Sequence, residues 1–338
     1  MLVVVAIAGC TGSDPSRSAG RSGSSPDASV PSSAGPCGGD RHKLRPIEHV
    51  VVIMEENLSI GSLIGDPGST NAERAPFLNE LARTCGLATN YRAVTQPSHP
   101  NYIAAVAGDT YVPPSCARFS CTNPSLDRPS IFSQLENAGR SWRMYVESMS
   151  SPCRLGSSEL YEAGHNSAIW FPPLRRSCIR NDVGVEQLGR DLQADGLPSF
   201  AWIVPNEHHN MHTSAGGGDG KIRAADTWIR PLMARLVASY DYADGSTVVF
   251  VTWDEGDLTG APFNRDCLSP ALADDVSCQV ATIVASRWVE PGIRSEVPLS
   301  HFGLLKTSER LLGVPLLAHA GDPDTADMIE PFGLEPTG

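Results

Sequence analysis

The 338-residue chain contains no run of lysine and arginine. Its 26 basic side chains face 38 acidic ones, for a net charge of −12. Nothing in such a chain can neutralise a row of backbone phosphates, which excludes nucleic-acid binding through a basic surface. An acidic surface still admits a small phosphorylated ligand, because a bound metal ion can supply local positive charge. No apolar run is long enough to cross a bilayer as a helix. No CxxC zinc-knuckle pair occurs, no GxSxG nucleophile elbow, and no Cys-x-Pro-x-Arg run for formylglycine formation. Those three absences count against a zinc knuckle, an α/β-hydrolase and a sulfatase. No internal repeat is visible.

What is present begins with "MLVVVAIAGC", a short apolar run that resembles a bacterial lipoprotein signal ending at Cys10. Residues 1–10 are therefore expected to act as a signal segment, with a lipid anchor on Cys10 at a membrane surface. Residues 11–45 are rich in Ser, Gly and Pro and poor in large apolar side chains. Such a stretch buries too little surface to offset its ordering entropy and reads as a flexible tether. With Cys10 set aside, eight of the nine cysteines remain. An even number in an exported chain suggests disulfides. Nearest-neighbour pairing joins Cys116–Cys121, Cys153–Cys178 and Cys267–Cys278, leaving Cys37 with Cys85. The expected location is outside the cell or on the outer face of its membrane.

Residues 46–338 form the expected folded domain, and 41% hydrophobic residues suffice for a sizeable core. "IEHVVVIMEEN" is a β-branched apolar run that stops abruptly in charge, as a buried strand does at its carboxyl end. "NAERAPFLNELARTCG" reads as one helix capped at Asn71 and stopped at Gly86. Further helix–strand pairs end at Pro205-Asn206 and at Asp254-Glu255, "CQVATIVAS" adds a strand, and "HFGLLKTSERLLGV" is a helix opening on His301. That alternation predicts an α/β fold, a mostly parallel central sheet with helices on both faces. In such sheets ligands bind beyond the carboxyl ends of the strands.

Polar clusters recur at those ends. Glu56, Asn57, Asp254 and Glu255 are oxygen donors that suit a hard divalent cation, Ca, Mg or Mn, although Zn and Fe also accept carboxylates. "PNEHHNMH" gathers His208, His209 and His212, which points to an anion, a metal or proton transfer. The glycines just after it argue for a loop there. His301, at a helix start, is placed to meet an anion beside free N–H groups, and His165 is a weaker candidate. In "VTQPSHPNYIA", Pro97 and Pro100 frame Ser98 in what reads as a stiff turn. A serine hydroxyl needs a base or a metal to become a nucleophile.

Taken in order from Ile47 to Gly333, these motifs resemble the phosphoesterase family of bacterial acid phosphatases and secreted phospholipases C, within the alkaline phosphatase superfamily. The resemblance implies an alkaline-phosphatase-like fold. It implies one divalent cation held by Glu56, Asn57, Ser98, Asp254 and Glu255, with Ser98 as the residue that becomes phosphorylated. Asn101 and, in "YEAGHNSAIWF", His165 would hold the phosphate together with His212. His208, His209 and His301 would serve as charged imidazoliums in catalysis. Gly164 stands where the family carries a lysine, and "PNEHHNMH" lacks the acidic residue usual before the final Met-His. The activity implied is that of a metal-dependent acid phosphatase acting on small phosphate esters or phospholipid head groups. A phospholipase C-type phosphodiesterase or a phosphatidylinositol 3-phosphatase on the same scaffold is the near rival. A surface lipoprotein that binds without catalysis is the distant one.

Overall fold

A computed structural model describes Leu2 and residues 35–111, 126–212, 218–257 and 265–336. Cys10 with the rest of the expected signal, most of the expected tether, and Cys116 with Cys121 lie outside the described residues.

Nine strands make one sheet: β1 (His49–Glu55), β2 (Gly86–Arg92), β3 (Trp142–Val146), β4 (Asp182–Gly184), β5 (Phe200–Val204), β6 (Thr247–Trp253), β7 (Gln279–Ser286), β8 (Arg294–Ser295) and β9 (Leu299–Ser300). Their spatial order is β4-β3-β5-β1-β6-β7-β2-β8, with β9 also against β2. Every residue of β5 and β6, and of β1 from Val50 onward, is buried. Successive strand side chains point to opposite faces, so complete burial means that both faces are covered. That is why these segments read as continuous apolar runs instead of alternating ones.

All pairings are parallel except those of β7, which runs against both β6 and β2. The carboxyl ends of β1, β2, β3, β5, β6 and β9 therefore share one edge of the sheet. Just beyond those strand ends lie Glu56, the Ser98 segment, Glu147, Glu207, Asp254 and His301, so topology alone gathers them.

Two local readings change. The helix expected from Asn71 to Gly86 is two, Thr70–Arg74 and Pro76–Thr84, the first capped by the Ser69 side chain. Pro76 has no N–H to continue the first helix and disfavours α geometry in Ala75, so it opens the second instead. The Ser98 "turn" is the first turn of a helix, Ser98–Ala107, with Pro97 as its cap and a cis Gln96–Pro97 bond. Pro100 is tolerated because first-turn N–H groups have no helical partner to lose. Gly108 ends this helix at φ 76°, and a side chain there would collide with the carbonyl of Leu317.

Disulfides join Cys37–Cys85, Cys153–Cys178 and Cys267–Cys278, as nearest-neighbour pairing predicts. The Cys37 bond, with the Arg41 guanidinium on the carbonyls of Trp288 and Gly333, ties residues 37–41 of the expected tether onto the fold. Among the described residues, no helix is long and apolar enough to cross a membrane.

Candidate active site

At the shared strand edge the chain buries an unusual amount of charge. Glu55, Glu56, Asn57, Ser98, Asn101, Asp254 and Glu255 are all at most 3% exposed. β1 delivers Glu56 and Asn57, and Asn57 sits at φ 47°, a left-handed conformation that asparagine tolerates better than most residues. β6 delivers Asp254 and Glu255. The chain then turns at Gly256, where a side chain would strike the carbonyl of Val276.

Ser98 is the centre. Its Oγ donates to Glu56 Oε2 at 3.0 Å, the same oxygen that accepts from Asn57 Nδ2 at 2.5 Å. The Asn57 main-chain N–H donates to Asp254 Oδ1 at 3.1 Å, locking the two strand ends together. Asn57 Oδ1 and Asp254 Oδ2 remain buried without a hydrogen-bond partner, and Glu56 Oε1 faces His165 Nε2 at 3.1 Å. Burial pushes all three acids up, Asp254 to about 7 and Glu56 and Glu255 well above the carboxylate range; for Glu56 the neighbouring Asp254, Glu255 and Glu207 add to it. Buried carboxylates this close cannot all be ionised without a positive charge among them. Two buried oxygens without donors, set in an acidic cluster, fit a hard divalent cation. Cys153, Cys178 and Asp182 also place donor atoms within 4.8 Å of one another, but their sulfurs are joined in a disulfide and hold no metal.

The other residues singled out in the sequence divide sharply. His165 is brought in: its Nε2 lies 3.1 Å from Glu56 Oε1, and its ring stacks on Tyr102 with centroids 5.0 Å apart. His212 approaches the same corner, its Nδ1 3.8 Å from Glu207 Oε2, while Glu207 Oε1 lies 3.5 Å from His165 Nδ1. Glu207 thus supplies an acid in the very segment that had seemed to lack one. His209 turns away to Glu147, at 3.0 Å, and stacks on Trp228, and the His208 side chain is exposed. No hydrogen bond joins either of them to the Ser98 cluster among the described residues.

Asn101 and His301 have jobs other than those expected. Asn101 Oδ1 accepts from the main-chain N–H of Val94 and of Thr95, each at 3.0 Å. Its Nδ2 donates to Thr95 O at 2.8 Å and to Glu255 Oε2 at 3.4 Å. The amide therefore pins the loop before Ser98 to the second acidic pair. His301 Nε2 donates to the main-chain oxygen of Asp254 at 2.6 Å, which leaves Nδ1 to accept from the Tyr91 hydroxyl at 3.0 Å. With both nitrogens engaged and the ring fully buried, His301 positions Asp254. Burial also lowers His301 to about 4 and His165 to about 3, so neither is the imidazolium that the sequence reading required at neutral pH.

Residues missed by the sequence reading are Glu207, Glu147, Tyr91, Asp257 and His99. Glu207 alone carried a signal, lying inside the histidine motif. His99 comes directly after the serine, packs 4.1 Å from the Trp170 ring centroid, and leaves Nε2 buried without a partner. A groove of about 610 Å³ runs outside the Ser98 helix from Thr95 and Pro100 to Asp109 and Thr110. Neither Ser98 nor Glu56 nor Asp254 is on its wall, so it is separate from the Ser98 cluster.

Comparison with known proteins agrees with this geometry. Residues 68–315 match the profile of the phosphoesterase family. A phosphatidylinositol-3-phosphatase of Mycobacterium tuberculosis is 28% identical over 274 residues, 80% of this chain and 79% of its own length. A probable acid phosphatase of Kluyveromyces lactis is 30% identical over 62% of this chain, which spans only 48% of that relative. Among solved structures, a protein in the alkaline phosphatase superfamily from Vibrio parahaemolyticus superposes with a TM-score of 0.55, at 13% identity, covering 83% of this chain and 71% of its own. The phosphonate monoester hydrolase of Agrobacterium radiobacter does so with a TM-score of 0.53, at 13% identity and 87% and 78% coverage. At such identity the structural likeness shows the fold.

Proposed function

The chain belongs to the phosphoesterase family and is a phosphoric ester hydrolase, and from that premise we propose that it is an exported, cation-dependent phosphomonoesterase acting through Ser98. The observation that carries this reading is the Ser98 hydroxyl, 3.0 Å from Glu56 at a helix start, in a cluster where Asn57 Oδ1 and Asp254 Oδ2 are buried without a hydrogen-bond partner.

Glu56, Asn57 and Asp254 would hold the cation, with Glu255 behind them. A divalent cation bound there lowers the pKa of a serine hydroxyl and offsets charge on phosphoryl oxygens. The chain's own groups do the rest. Asn101 and the Gln96–Pro97 segment fix the start of the helix, so Ser98 enters the reaction with little freedom to lose. Oγ bonds to phosphorus as the bond from phosphorus to the substrate alcohol breaks, and the Oγ proton passes along the existing hydrogen bond to Glu56. The phosphoryl group stays on Ser98 until water cleaves it. His212, whose Nδ1 lies 3.8 Å from Glu207, is the group positioned to move a proton to the departing alcohol and from the incoming water.

The M. tuberculosis relative supports a lipid phosphomonoester as the physiological substrate, and three disulfides support an oxidising compartment. Phosphate release from p-nitrophenyl phosphate, run beside p-nitrophenyl phosphorylcholine with and without a chelator, tests the proposal. Monoester turnover that chelation abolishes is expected. Turnover of the diester alone would move the assignment to a phospholipase C-type enzyme, and silence on both would contradict it.

A further inference from the structure

The chain carries 38 acidic side chains against 26 basic ones, yet residues 163–181 hold three arginines and no acid. This segment leaves the site at His165 and winds through short 3-10 turns into the helix Arg175–Asn181. The helix packs inward through Ser177 and Cys178, with Leu174 buried just before it, while Pro172, Pro173, Arg175, Arg176, Ile179 and Arg180 are exposed. Arg175 and Arg176 stand four and three residues before Ile179, so all three share the outward face, and Arg180 adjoins it. Ile179 itself is 60% exposed. None of the three guanidiniums lies within 4 Å of a carboxylate among the described residues. Arg175 Nη1 donates to Cys153 Sγ at 3.2 Å and Arg180 Nη1 to Arg176 O at 3.1 Å.

Two features hold that face beside the strand edge that carries the site. The Cys153–Cys178 disulfide fastens the buried side of the helix to the loop after β3. That loop brings Arg154 with it, whose guanidinium donates to neutral oxygens, Gly156 O at 2.6 Å and Ser150 Oγ at 2.7 Å. The helix then runs directly into β4, whose Asp182 and Gly184 pair with Met144 and Val146 at the carboxyl end of β3. Neighbouring acids do little to answer the charge. Asp182 is fully buried and accepts from Asn166 Nδ2 at 2.9 Å, and Glu162 Oε1 accepts from Ser157 Oγ and the Gly164 N–H. Across residues 150–182, four arginines therefore stand against one exposed acid, Glu159.

We infer that Arg175, Arg176 and Arg180 around Ile179, with Arg154 on the adjoining loop, form a docking surface for an anionic phospholipid bilayer. Guanidiniums match phosphate oxygens in a planar fork. An isoleucine among them adds the apolar contact of a lipid interface, which a nucleic-acid backbone does not reward. A chain of net charge −12 is repelled by an anionic bilayer in most orientations, so one basic face selects the orientation in which it docks. The inference rests on the phosphomonoesterase reading only for its consequence, faster turnover of a monoester carried by a membrane lipid; the docking itself does not. Each arginine at an anionic surface contributes roughly fivefold in binding, so Arg176 and Arg180 together contribute about 25-fold.

The test uses the full chain carrying Cys10→Ser, so that no lipid anchor contributes. Into this parent go Arg176→Gln/Arg180→Gln, Arg176→Lys/Arg180→Lys and Ile179→Ser, after thermal melting confirms that each folds. Binding is measured by cosedimentation with vesicles of phosphatidylcholine alone and of equal parts phosphatidylcholine and phosphatidylglycerol. The parent should prefer the mixed vesicles by at least about tenfold at 0.1 M salt, a preference that fades near 1 M. The glutamine pair should lose about 25-fold on mixed vesicles, the lysine pair less than about threefold, and Ile179→Ser about threefold or more. Turnover of soluble p-nitrophenyl phosphate should not change, while release from a phosphatidylinositol monophosphate in the mixed vesicles should fall in step with binding. Equal binding of the parent to both vesicles, or undiminished binding by the glutamine pair, would overturn the docking surface. Binding to a short DNA duplex in place of the mixed vesicles would overturn it too. If the parent turned over no monoester, the reaction assignment would fail while the vesicle measurement still decided the docking.

Discussion

Replacing Asn101 with alanine separates two accounts of the same residue. In the structure its side chain makes four hydrogen bonds, three of them at 3.0 Å or shorter, and two of these satisfy the main-chain N–H groups of Val94 and Thr95. Deleting one side of such a bond leaves a donor unpaired at about 1–3 kcal/mol where it is buried. Val94 is buried and Thr95 half-buried, so Asn101→Ala should destabilise by about 3 kcal/mol. The loop would also gain freedom, so kcat should fall at least tenfold or so while KM for a small ester moves little. Urea denaturation gives the first quantity, as a lower midpoint at unchanged slope, and steady-state kinetics the second. An intact midpoint with a raised KM alone would refute the reasoning and return Asn101 to the phosphate, where the family resemblance had put it.

Two further predictions concern stability. Burial raises the Glu309 carboxyl to about 9, although its oxygens accept from the Leu317 N–H. A raised folded-state pKa means that the stabilisation is complete below about pH 4.5 and is lost as pH climbs toward 9. From pH 5 to 8 that loss is about 4 kcal/mol at 1.36 kcal/mol per unit. Glu309→Gln lacks this slope, so its urea stability should gain on the wild type by about that amount between pH 5 and 8; parallel curves would refute it. The Cys37–Cys85 bond closes a loop of sequence separation 48, for which chain entropy gives about 4 kcal/mol. The double variant Cys37→Ala/Cys85→Ala should unfold at lower urea with its activity per folded molecule retained, and an unshifted midpoint would contradict the estimate.

Much of the fold was legible because its strands are buried on both faces. The runs in β1, β5 and β6 are uninterrupted and stop in charge, and that punctuation located the site edge. The direction of β7 was not legible, since a buried antiparallel strand carries the same apolar run as a parallel one. Pro76 did announce a helix break, but the apolar spacing on either side of it fits one continuous helix. The candidate site was legible where a polar side chain leaves a strand end, as with Glu56, Asn57 and Asp254, which the structure brings together. It was illegible where the chain folds back. His208, His209 and His212 look like one unit in sequence, yet the turn after β5 exposes the first, sends the second to Glu147 and brings only the third toward Ser98. Glu207 was overlooked among histidines.

The central claim is that Ser98 carries the phosphoryl group. Acid-quenching the enzyme during turnover of p-nitrophenyl phosphate, with peptide mass spectrometry of the quenched protein, tests it directly. Phosphorylation should appear on the peptide containing Ser98 in the wild type and be absent in Ser98→Ala, which should keep its fold and release no phosphate. A wild type that turns over without a phosphorylated Ser98 peptide, or an active Ser98→Ala, would contradict the account.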